Sequence, residues 1–228
     1  MEKPRETQRP EYFLVVIAPI FILGLTNGWY APALTRVGTH WFWLSDVVQF
    51  VVLPAAAVIY LFKQLKTPPS KFGFRGPTTY ETYWELAGLS CLAIFLYWVC
   101  FDVLRHIVAR FITTPASSVL FAPALPTTQP LRFLLVLYAS LTAAFVEESV
   151  YRSIPWLYFK TRLKSPRAPF VLLSSVAFAV IHWEQGLGIV ISAGMLGLVA
   201  AGLYTKVENI WPFVIAHFVS SCWNYQWM

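Results

Sequence analysis

The 228-residue chain is 57% hydrophobic and 17% aromatic, with only 12% charged residues and a mean hydropathy of +0.59. A soluble domain carries about 25% charged residues to cover its surface, so this composition excludes an ordinary soluble globule and a disordered chain alike. The 17 Lys and Arg against 11 Asp and Glu fall in short clusters between apolar runs, which is a membrane-topology signal and not a nucleic-acid surface.

A bilayer core about 30 Å thick needs ~20 apolar residues per helix. Charged breaks divide the chain into seven such stretches: approximately Tyr12 to Leu34, Trp41 to Phe62, Tyr83 to Val103, Leu131 to Phe159, Ala168 to Trp183, Leu187 to Tyr204 and Ile210 to Met228. The pattern predicts an all-α, polytopic transmembrane bundle of about seven to eight helices, forming one integral-membrane domain over residues 1–228. The stretch from Ile107 to Pro126 is apolar but interrupted by Pro115, Pro123 and Pro126. It reads equally as a short eighth span, a re-entrant piece or a surface helix. The first span follows a charged segment without a small-x-small cleavage pattern, so it is expected to stay as an anchor.

With the N-terminus inside, twelve cations share one face: Lys3, Arg5, Arg9, Lys63, Lys66, Lys71, Arg75, Lys160, Arg162, Lys164, Arg167 and Lys206. Four (Arg36, Arg105, Arg110 and Arg132) fall on the other, and this asymmetry predicts N-in, C-out in a cell membrane. Cys91, Cys100 and Cys222 lie in apolar runs without C-x-x-C spacing and read as buried small hydrophobes. Asp46, Glu85, Asp102, His40 and His106 sit near span ends and are expected to be interfacial or solvated. Trp41, Trp43, Trp211, Trp223 and Trp227 suit an aromatic belt. The segment from Lys63 to Arg75, with Pro68, Pro69 and Gly73, reads as a basic loop facing anionic lipid.

One polar run is not at an end. Glu147, Glu148, Ser149, Tyr151 and Arg152 interrupt the fourth span, where an ionisable side chain costs ~2.5–3.5 kcal/mol at the bilayer centre. On a helix Glu148 and Arg152 are i,i+4 neighbours and pair along one face, whereas Glu147 projects about 100° away without that partner. Two later spans bring His182 and His217. At ~1.5 Å per residue, Glu147 lies 13 residues before Lys160, His182 15 after Arg167 and His217 11 after Lys206, which places them roughly 20, 22 and 16 Å deep in one layer. Three helices delivering ionisable groups to one depth point to a functional site. A structural polar network, with Ser149, Tyr151, Ser221 and Asn224 as partners, is the alternative.

A Glu and a His at one depth, with a second His and an amide nearby, suit activation of water against a carbonyl. Glu147 would be the general base with His182 orienting the water, and His217 with Asn224 or Ser221 would donate to the oxyanion. Burial makes a carboxylate a stronger base. Glu147, His182 and His217 also form a His₂Glu zinc set, although the chain has no H-E-x-x-H. Gly186, Gly188, Gly194, Gly197 and Gly202 cluster in one span, where they permit close helix approach. A proton-coupled carrier would use similar groups, but the inverted repeat such a carrier predicts is not apparent. A non-catalytic scaffold is the third reading.

The same residues resemble the CPBP glutamic-type intramembrane proteases, which include the CAAX prenyl endopeptidases of the Ras-converting type. Their pattern E-E-x-x-x-R is matched by Glu147, Glu148 and Arg152, and F-x-x-x-H by Phe178 and His182. H-x-x-x-N/D is matched in part: His217 is followed four residues on by Ser221, and Asn224 comes seven residues on. The resemblance spans roughly Leu131 to Asn224. It implies an all-helical endopeptidase in which Glu147 and His182 activate water and the third motif stabilises the oxyanion without a required metal, zinc being the older alternative. The implied partners are membrane lipid and a membrane-associated or lipidated protein or peptide. No prenyl pocket and no oligomeric state are specified.

Overall fold

A computed structural model describes residues 10–112 and 124–226 of the chain. Seven helices run in order: α1 (Pro10–Val37), α2 (Thr39–Leu65), α3 (Tyr80–Val108), α4 (Gln129–Arg162), α5 (Arg167–Val180), α6 (Leu187–Val207) and α7 (Trp211–Gln226), with no strand among the described residues. Each coincides with one of the seven predicted stretches. α1, α2, α3, α4 and α6 are long and apolar enough to cross a membrane. α5, with 14 residues, rises only about 21 Å, less than the ~30 Å of a bilayer's hydrocarbon core. Residues 113–123, the heart of the proline-interrupted stretch, lie outside the described residues, as does Trp227.

The bundle is apolar on the outside as well as within. Leu14, Val15, Phe95, Phe133, Leu134, Leu172 and Leu173 are all exposed, the pattern of a surface solvated by lipid. The core packs α5 against α6 and α7 against both α3 and α4. α6 presents Ser192, Ala193, Leu196, Gly197, Ala200, Ala201 and Tyr204 on its buried face. A Cβ on Gly197 would stand 2.8 Å from the Ser175 Cα, so that glycine is what lets α5 and α6 touch backbone to backbone. Gly194 meets Ala179 at an ordinary 3.5 Å and Gly202 faces open space, so the close approach is confined to part of the glycine cluster.

Three helices widen into π turns: Val48–Val52 in α2, Trp98–Val103 in α3 and Ser149–Ser153 in α4. Two of these have a visible cause. Pro54 and Pro155 come two residues after the turns end, and a proline removes the hydrogen bond to the carbonyl four residues before it while its ring presses on that carbonyl. In α4 the carbonyl released is that of Tyr151, and it accepts the Ser174 hydroxyl of α5 at 2.5 Å.

Several expectations change. Asp46 and Asp102 are buried inside the bundle, because the helices that carry them turn these positions toward neighbours, whereas Glu85 is exposed as predicted. Cys91 is exposed on the apolar outer face and Cys100 and Cys222 are half-buried, all three free. Trp43 donates to the Ala124 carbonyl at 3.0 Å and Trp211 packs on Phe74 and Phe145, so only Trp41 and Trp223 of the described belt residues are exposed.

The basic loop is also more than a lipid-facing segment. Its 3₁₀ turn Pro69–Phe72 buries Phe72, whose carbonyl accepts hydroxyls from Ser153 and Tyr204. Gly73, at φ 83°, passes its carbonyl to the Ile210 N–H at 2.9 Å; any side chain there would strike the Tyr204 hydroxyl. The loop is a clasp that ties α4 to the α6–α7 turn.

Candidate active site

The π turn after Glu148 sits where the three motifs meet. Glu148 is fully buried and gathers three helices: its Oε1 accepts the Tyr97 hydroxyl of α3 at 2.8 Å and faces His217 Nδ1 of α7 at 2.9 Å. Its Oε2 lies 3.3 Å from Nε of the equally buried Arg152. The predicted i,i+4 pair is therefore present, and Glu148 does more than hold its own helix in register.

Phe178 is the aromatic centre of the cluster. The Arg152 guanidinium lies 4.1 Å over its ring, His182 packs at 4.9 Å, Tyr151 meets it edge-on at 5.6 Å, and His217 stands at 6.3 Å. This accounts physically for an aromatic residue one turn before a histidine: the ring face covers a buried cation while its flank supports the imidazole. His182 Nδ1 is 2.8 Å from the Phe178 carbonyl, a contact that places the proton on Nδ1 and leaves Nε2 as the acceptor.

A cavity of about 330 Å³ opens in front of these groups. Glu147, His182, His217, Tyr151, Phe178, Ser221 and Asn224 line it together with Tyr97, so every predicted catalytic residue reaches one space. Each π turn contributes to the wall: Gln49 and Phe50 from α2, Phe101 from α3 and Tyr151 from α4. Irregular backbone at membrane depth is tolerated where it lines such a space.

Within the cavity the predicted pairing is redistributed. Glu147 Oε2 is buried without a hydrogen-bond partner and lies 3.8 Å from His217 Nε2. His217 thus spans the two glutamates, Nδ1 on Glu148 and Nε2 toward Glu147. Asn224 spends its amide on the Ser220 carbonyl at 2.9 Å and, with Ser220, adjoins the buried carboxylate of Asp102. Among the described residues no three His, Cys, Asp or Glu side chains are grouped closely enough to hold a metal ion.

Sequence reading missed Tyr97, Asp102, Arg105 and Glu184. Nothing marks Tyr97 among 11 tyrosines until α3 is packed against α4. Glu184 did carry a signal, a carboxylate two residues after a motif histidine inside an apolar run.

The resemblance drawn from the motifs is borne out over the C-terminal part of the chain. Residues 128–223 match the family model described as Rce1-like, type II CAAX prenyl endopeptidase. The matched segment holds all of the first two motifs with His217 and Ser221, and stops one residue short of Asn224. No curated protein and no solved structure matches the chain.

Proposed function

We propose that this chain, whose residues 128–223 are Rce1-like, is an intramembrane endopeptidase that hydrolyses a peptide bond of a membrane-associated or lipidated protein. The observation that carries the reading is the convergence of Glu147 from α4, His182 from the turn that follows α5 and His217 from α7 on one cavity, with Glu147 Oε2 free of any hydrogen-bond partner.

Glu147 takes a proton from water in the cavity, and His182, acceptor at Nε2, holds the water in line with the substrate carbonyl. The hydroxide adds to the carbonyl carbon. His217, with Nδ1 held by Glu148, carries its second proton on Nε2 and donates it as a hydrogen bond to the oxyanion, assisted by Ser221. Ser221 is favoured over Asn224 because the Asn224 amide is engaged by Ser220 and adjoins Asp102. Collapse of the intermediate breaks the C–N bond, and the proton held by Glu147 passes to the departing amine. The products are a carboxylic acid and an amine, which exchange a proton to leave as carboxylate and ammonium.

The test is cleavage of membrane-embedded and lipidated peptides by purified protein in detergent. Glu147→Gln keeps shape but removes the base, and should lower kcat by about 10²–10⁴-fold without loss of folding. Full activity in Glu147→Gln sinks the reading. Activity abolished by a chelator and restored by zinc would instead favour the His₂Glu metal alternative.

A further inference from the structure

The cavity holds a second carboxylate that the hydrolytic reading leaves unused. Glu184, in the 3₁₀ turn Trp183–Gln185 between α5 and α6, lines the same space. Its Oε1 accepts a hydrogen bond from Gln185 at 3.3 Å, while its Oε2 is buried with no partner.

The stem of this side chain is fixed by α1. A Cβ on Gly28 would lie 2.6 Å from Glu184 Cβ and 2.9 Å from the Trp183 ring, so the helix backbone presses directly on the turn. The Trp183 indole N–H donates to the Leu25 carbonyl at 2.8 Å, and the Trp29 ring packs on it at 4.9 Å. Gly186, at φ 92°, lets the chain reverse immediately afterwards into α6. Glu184 is therefore presented on a rigid support.

The charge around the cavity is unbalanced. Besides Glu147 and Glu184, the fixed charge on its wall is Arg105, which leans 3.9 Å from Asp102 and 5.9 Å over the Phe101 ring. Among the described residues no Lys or Arg forms an ion pair with Glu184; its titratable neighbours are His182 and Glu147. An unpaired carboxylate oxygen in a water-poor site is costly, and a cation arriving with a ligand removes that cost.

Resting on the endopeptidase reading, we infer that Glu184 is a specificity-determining residue: it receives the positively charged side chain of a substrate Lys or Arg close to the scissile bond, in the part of the cavity between α1 and the 183–186 turn. A neutral side chain leaves Oε2 unpaired and an acidic one is repelled, so the residue discriminates as much by rejection as by attraction.

The experiment uses purified full-length protein and an apolar peptide of about 20 residues, long enough to span a bilayer, carrying Lys, Arg, Ala or Glu singly at successive positions around the cleavage point. At one position the basic peptides should exceed the Ala peptide in kcat/KM by about 10- to 100-fold, chiefly through KM, as expected for a charge-assisted hydrogen bond. Glu184→Gln should bring that ratio close to one, Glu184→Asp should retain part of it, and Glu184→Lys should favour the Glu peptide. A wild-type enzyme that cleaves without basic preference at any position overturns the inference, as does a preference that survives in Glu184→Gln. Peptide affinity for the Glu147→Gln protein gives a readout independent of turnover: tighter binding of the Lys than the Ala peptide supports the role of Glu184, and equal binding overturns it. Failure to cleave any peptide counts against the endopeptidase reading alone, because this binding comparison still decides the inference.

Discussion

Glu148 and Glu208 both draw distant segments together by collecting donors, and they do so in opposite surroundings. Glu148 is fully buried with Arg152 beneath the Phe178 ring and takes donors from α3 and α7. Glu208 stands at the wet end of the bundle, 2.5 Å from Lys160 Nζ, 3.1 Å from the Trp156 indole nitrogen and 3.6 Å from Arg75, with both cations about half exposed. The number of partners is similar. What differs is the cost of losing one: in the interior the remaining charge has no water to turn to, whereas at the clasp water takes its place.

The largest effect is expected inside. Arg152→Met leaves Glu148 charged and short of its ion pair, and should destabilise the protein by about 3–5 kcal/mol in thermal or denaturant unfolding in detergent. The double variant Arg152→Met with Glu148→Gln should recover much of that loss; if it does not, Arg152 acts through packing on Phe178 and not through charge.

Tyr97→Phe removes one donor from the buried carboxylate and should cost about 1.5–3 kcal/mol, the range for hydrogen bonds to charged groups. The same substitution should reduce peptide cleavage, since His217 shares Oε1 with that hydroxyl. An unchanged unfolding midpoint would show the Tyr97 bond to be dispensable.

At the clasp the backbone should matter more than the charges. Gly73→Ala forces a side chain into left-handed backbone and toward the Tyr204 hydroxyl, and should cost about 1–2 kcal/mol at least. Glu208→Gln should cost only about 0.5–1 kcal/mol at neutral pH, less in high salt. Burial alone would raise the Glu208 carboxyl, but hydrogen bonds from Lys160 and Trp156 and the charges of Lys160 and Arg75 hold it below the usual carboxylate range. Its contribution is therefore fully present above the ordinary value near 4.3 and lost as pH falls through the lower folded value. The difference in stability between wild type and Glu208→Gln should close in acid; a difference that persists would place the effect in packing.

Much of the fold is legible in the residues. Runs of about 20 apolar side chains separated by cations can only be satisfied as helices in a bilayer, and among the described residues each of the seven stretches holds a helix. The polar layer was legible for the same reason: depth along a helix follows from counting residues, and Glu147, His182 and His217 do line one cavity. Rotation about each helix axis was harder to read. Asp46 and Asp102 lie near span ends, but the neighbours of α2 and α3 bury them, a fact set by packing. The loop from Lys63 to Arg75 looked lipid-facing because its cations are conspicuous, while its grip comes from Phe72, the Gly73 carbonyl and the left-handed turn, which have no charge pattern.

The sequence by itself determined the membrane-spanning character, the seven long apolar stretches and the level at which ionisable groups meet, because those follow from hydrophobic length and a fixed rise per residue. The tertiary structure alone decided which nitrogen of His217 faces which glutamate, that Tyr97 completes the hub, and that Glu184 enters the cavity with an unpaired oxygen. Hydrogen bonds between helices depend on azimuth and separation at the scale of an ångström. Those are fixed by side-chain interlocking such as Gly197 against Ser175 and Gly28 against Glu184, contacts between residues far apart in the chain.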